Sequence, residues 1–164
     1  MAQLRESYSE TLDAIGRQFE QLEVVVAQFA PDLDEQALLD AWDSEDPVER
    51  NRVGLLLGCF EKTYMLLMDL ITLSVKLARR IGAIEDERTP VLDTVANAGV
   101  ISRDAIEAIE KQREVRNTSQ HVYVQLSMSE LRTAVLGQLA ITPVAVQSIA
   151  GWVDSMEPSP EADT

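Results

Sequence analysis

A chain of 164 residues with 46% apolar and 26% charged side chains carries enough apolar material for one buried core, and its composition excludes a fibrous repeat or a disordered body. Fourteen basic against 28 acidic residues leave a net charge of −14, which opposes non-specific attraction to nucleic acid, because such attraction rests on neutralising phosphates, so any RNA contact has to be local. Cys59 is the single cysteine, which excludes an internal disulfide and a multi-thiolate metal site and leaves a buried structural thiol as its expected role.

The first residues run straight into an amphipathic pattern without the basic start and apolar stretch of a secretory leader, so the protein is expected in the cytoplasm. The apolar run from Tyr64 to Ala78 reads as the only long one. Interrupted by Asp69 and Lys76, it falls short of the roughly 20 residues of a membrane span.

In chain order, Leu4, Tyr8, Leu12, Ile15, Phe19, Leu22, Val26 and Phe29 recur at steps of three or four and predict one stripe of a long first helix ended by Pro31. A short helix over 35–42 follows. Asp46-Pro47-Val48-Glu49 then combines an N-cap acid, proline at the first helical position and a glutamate two residues later, predicting a strong helix start. The helix it opens runs to about Arg80. It is apolar on one side through Val53, Leu56, Phe60, Leu67, Ile71 and Ser74, and on another through Leu55, Cys59, Leu66, Leu70, Leu73 and Leu77. Such a helix belongs at a bundle centre or a subunit interface.

A polar loop over 82–90, a short helix over 91–98 ended by Gly99, and a helix from about Arg103 capped by Ser102 come next. Ser127-Met128-Ser129-Glu130 has the capping-box spacing for a last long helix, which Pro143 is expected to break or kink. The sequence thus predicts a single all-α domain over 1–156, an up-and-down bundle of four to five main helices, with residues 157–164 as a frayed tail.

Chemistry concentrates in Arg116-Asn117-Thr118-Ser119-Gln120-His121-Val122-Tyr123. His121 is the only histidine, with an unperturbed pKa of about 6.5 suited to moving protons near neutrality. Arg116 offers a permanent cation whose planar fork matches phosphate. On a regular helix, Arg116 and His121 lie about 140° apart, whereas Asn117 and His121 share a face. Convergence of Arg116 with His121 therefore needs a break or tightening near Thr118-Ser119, or two subunits that each supply one group.

Arg-Asn-X-X-X-His-X-Tyr, placed late in a helical chain, resembles the HEPN superfamily and is similar above all to HepT-like toxins. Leu92-Asp-Thr-Val-Ala-Asn-Ala-Gly-Val-Ile101 looks like the stretch that precedes the motif helix in that family, and the likeness covers roughly 49–139. Thr118-Ser119-Gln120 stands where the family usually has apolar residues, and Val122 where an acid is frequent.

The resemblance implies a HEPN-like bundle and a metal-independent endoribonuclease toxin without cofactor, acting as a homodimer on RNA. It implies catalytic roles for Arg116, His121 and Asn117, and AMPylation of Tyr123 by a cognate nucleotidyltransferase-type antitoxin. Arg113, joined by Arg79 and Arg80, is expected to add positive charge for RNA. Neither a membrane nor DNA is expected as a partner. Two alternatives stand beside this reading: a HEPN-like protein that binds a nucleotide or partner without catalysis, and a purely structural helical interaction protein.

Overall fold

A computed structural model describes residues 1–29, 32–121 and 126–156, apart from the side chains of residues 120 and 121. Among these residues the regular structure is six helices without a strand: α1 (Ala2–Ala27), α2 (Glu35–Trp42), α3 (Pro47–Arg80), α4 (Val91–Asn97), α5 (Arg103–His121) and α6 (Met128–Met156). The all-α bundle is therefore observed, with four long helices and two short ones. The expected tail at 157–164 and the stop at Pro31 lie outside the described residues.

Local chemistry explains the helix boundaries. The Val48 amide donates to Asp46 Oδ1 at 3.0 Å and Pro47 occupies the first turn of α3. The Ala37 amide donates to Asp34 Oδ2 at 3.2 Å, Ala105 to Ser102 Oγ at 3.2 Å, and Glu130 to Ser127 Oγ at 3.3 Å. Gly99 follows α4 with φ of 72°, a left-handed conformation that costs glycine nothing, and the Val100 amide closes back on the Val95 carbonyl.

The described residues on either side of positions 30 and 31 are held from outside. Asp32 and Leu33 both have positive φ, 51° and 56°, which is unfavourable for side chains of their kind. Arg132 of α6 donates from Nε to the Leu33 carbonyl at 2.8 Å, while the Leu33 side chain is buried, and the two contacts together fix the turn. Arg52 of α3 donates to the Gln28 carbonyl at 2.5 Å and lies 5.0 Å over the Phe29 ring, closing the end of α1.

Two apolar clusters give the topology. Tyr8 and Ile15 of α1 pack with Leu67, Ile71 and Val75 of α3, Ile106 and Ile109 of α5, and Ile149 and Val153 of α6. Leu22, Val25 and Phe29 pack with Val53, Leu56 and Phe60, and with Leu131 and Val135. The first half of α1 therefore meets the second half of α3 and of α6. The chain alternates direction along α1, α3, α5 and α6, an up-and-down order.

Between the clusters, every long helix contributes a buried polar side chain: Gln18, Thr63, Gln112, and Gln138 with Thr142. Gln138 Nε2 donates to the Phe60 carbonyl at 3.0 Å and lies 3.4 Å from Gln112 Oε1, while Thr63 Oγ1 donates to the Cys59 carbonyl at 2.7 Å. Gln112 Nε2, Gln138 Oε1 and Thr142 Oγ1 have no partner among the described residues. The bundle thus has a polar waist.

Two expectations are corrected. Of the break or kink expected at Pro143, the break is absent, since α6 continues to Met156 with the proline inside it. Tyr64 to Ala78 is not the only long apolar run, because α6 from Thr133 to Val153 contains no charged residue and is long and apolar enough to cross a membrane by length and composition. Its inward side, with Leu131, Val135, Ala145, Ile149 and Val153, is spent in the bundle core. The second apolar side of α3 is also largely occupied: Leu70 and Leu77 are buried and Leu66 and Leu73 pack against the same cluster, leaving Leu55 and Met65 exposed.

Candidate functional site

The inward stripe of α5 passes through Ala105, Ile109, Gln112, Arg116 and Ser119, which alternate at steps of three and four. Arg116 thus occupies a core-facing position at the end of a buried row. Its guanidinium carbon sits 5.7 Å over the Tyr64 ring of α3, and its Nε is buried without a partner among the described residues. No carboxylate among those residues forms an ion pair with it.

One turn further on, the Ser119 hydroxyl lies 2.6 Å from Glu61 Oε1 and 2.7 Å from the Arg116 carbonyl. The first contact ties α5 to α3; the second returns to the helix backbone. Thr118 Oγ1 likewise donates to the Glu114 carbonyl at 3.0 Å. Thr118 thus bonds back to its own helix, Ser119 shares its one proton between the Glu61 carboxylate and the Arg116 carbonyl, and α5 continues unbroken through His121. The break near Thr118-Ser119 is absent, and the backbone keeps Arg116 and His121 about 140° apart on the helix.

Asn117 is exposed on the outer side of α5. Four residues before His121, it lies about 40° from it around an unbroken helix. The His121 side chain and Tyr123 lie outside the described residues. Arg113 is exposed beside the seam, and its charge reaches Tyr64 together with that of Arg116. Burial pushes the Tyr64 hydroxyl above its ordinary pKa of 10.0, and the two arginines only partly oppose that shift.

Arg79 and Arg80 stand elsewhere. They lie about 22 to 24 Å along α3 from Tyr64, at 1.5 Å per residue. Arg79 is engaged with the loop after α3, donating to the Asp86 carbonyl at 3.1 Å and the Thr89 carbonyl at 2.8 Å. These two arginines and the α3–α5 seam do not form one surface.

Cys59 is half-buried, and its thiol pKa is raised by burial, as befits a structural thiol. Glu61 and Tyr64 are the residues that motif reasoning passed over. Their signal was a glutamate inside an apolar helix, one turn before a tyrosine on the same flank. Comparison with protein-family models, with curated proteins and with solved structures gives no match.

Proposed function

We propose that the chain is a metal-independent endoribonuclease of HEPN-like type that works as a homodimer, with Arg116 of one copy and His121 of the other at each cleavage centre. The observation that carries this reading is the Arg116 guanidinium: held on Tyr64, unpaired with any carboxylate among the described residues, and edged by exposed Arg113. An arginine fixed in place without a counter-ion suits a transferring phosphate, because its charge need not first be released from an acid. The unbroken helix favours two copies over one.

In this mechanism the 2′-hydroxyl of RNA attacks the adjacent phosphorus and the bond to the 5′-oxygen of the next nucleotide breaks. The 2′-hydroxyl proton passes by way of His121 to the leaving 5′-oxygen, Arg116 stabilises the charge that gathers on the non-bridging oxygens, and Asn117, on the face of His121, orients the imidazole. Exposed Leu55 and Met65 on α3 supply apolar area for pairing. A nucleotidyltransferase-type antitoxin transferring AMP from ATP to the Tyr123 hydroxyl, with pyrophosphate leaving, adds phosphate and adenine to the motif and silences it.

A second reading has its own support. The inward turn of Arg116 and the Ser119–Glu61 bond are what a structural motif in a non-catalytic, partner- or nucleotide-binding HEPN-like protein requires. Induced expression of the wild type beside His121→Ala and Arg116→Ala, with growth and cellular RNA integrity followed together, separates the two. Arrest with RNA cleavage only in the wild type supports the nuclease; identical behaviour of all three supports the binding protein.

A further inference from the structure

On the opposite flank of α5 from Arg116, α5 and α6 enclose an open groove of about 720 Å³. Its floor is small and apolar: Ala108 and Val115 on α5, Ala134 and Gly137 on α6. Its rim is acidic: Asp104, Glu107 and Glu114 on one side and Glu130 on the other, all exposed. Lys111 is the one lining cation, and its Nζ already lies 3.7 Å from Glu107 Oε1. A Cβ added at Gly137 meets no atom within 4 Å, so a larger side chain can be placed on the floor at that point.

We infer that this groove is the docking site for a basic amphipathic helix of a partner protein. Small floor residues let a helix about 10 Å wide approach closely, its apolar stripe lying over Val115 and Ala134. The four rim carboxylates then face lysines or arginines flanking that stripe. The same charges disfavour other occupants. Two copies meeting at this groove would set like rim against like rim, and phosphate-rich RNA is repelled. The inference is independent of the nuclease reading, because neither Arg116 nor Asn117 lines the groove, and Thr118, which does, has no role in that reading.

The test uses a fluorescent amphipathic helical probe of about 18 residues, or five turns, built from leucine, alanine and lysine, with a glutamate version as control. Anisotropy is measured on wild type, on Gly137→Leu, which fills the floor, and on the rim variant Glu107→Lys/Glu114→Lys. The expected result is saturable binding of the lysine probe to wild type, a loss of tenfold or more in both variants, and no binding of the glutamate probe. Circular dichroism and melting confirm that the variants are folded, and the rim double variant leaves the core untouched. Equal affinity for Gly137→Leu marks binding as non-specific attraction to an acidic protein and overturns the proposal. So does absence of saturable binding to wild type, or self-association of the wild type that Gly137→Leu abolishes.

Discussion

The two apolar clusters at the ends of the bundle and the polar waist between them are equally buried but held by different forces. Phe60, Leu56 and Leu131 at one end, and Leu67, Ile71 and Ile149 at the other, are excluded from water and gain stability roughly in proportion to area. At the waist, Gln112, Gln138 and Thr142 lie as deep but leave polar atoms without partners among the described residues, so their burial is favourable only where hydrogen bonds are made. The difference teaches where the molecule can be remodelled. Arg116 follows Gln112 on the same stripe, so the candidate site grows out of the waist, not out of the apolar ends.

The largest effect should come from the apolar end. Phe60→Ala leaves a cavity among Leu56, Leu131 and Val135 and is expected to cost about 4 kcal/mol of unfolding free energy in urea titrations. The waist should behave non-additively. Gln138→Met removes the donor to Phe60 O and Gln112 Oε1 and is expected to cost about 2 kcal/mol. Adding Gln112→Met to it should recover most of that loss, since no amide is then left buried and unmatched. A double variant less stable than Gln138→Met would show that the waist is a satisfied network after all.

A smaller effect belongs to Tyr64. Its pKa is raised in the folded protein, chiefly by burial, so the folded state holds the phenolic proton more tightly than the unfolded chain. The stability this confers is complete below the ordinary value of 10.0 and is lost as pH rises through the raised one. Wild type should therefore lose more stability above pH 10 than Tyr64→Phe, and the two should respond alike to pH changes below it. Parallel curves through the alkaline range would mean that the ring is open to solvent.

Much of this architecture was legible in the sequence, and what was legible was local. Asp46-Pro47, Ser102, Ser127 and Gly99 mark helix ends through interactions spanning a few residues, so each could be read without knowing the fold. The inward direction of Arg116 was also available, seven residues after Ile109 and four after Gln112. The waist was not, because it exists only once four helices are in register. The Ser119–Glu61 bond crosses 58 positions of chain and leaves no periodic trace. The apolar length of α6 escaped notice because its glutamine, threonine and serine residues dilute the pattern without adding charge. The second apolar side of α3 fitted a bundle centre or a subunit contact, two outcomes that periodicity alone does not separate, and the cluster it shares with α1 is the bundle centre.

The decisive experiment for the proposed nuclease mixes two variants that the proposal expects to be inactive. Arg116→Ala and His121→Ala proteins are unfolded together, refolded as a mixture and assayed for RNA cleavage against each variant refolded alone. With each centre built from Arg116 of one copy and His121 of the other, a mixed dimer retains one intact centre, and a mixture containing half heterodimers should recover about a quarter of wild-type activity, by the mass-action logic of obligate pairs. Heterodimers that form but cleave nothing would contradict a centre shared between copies.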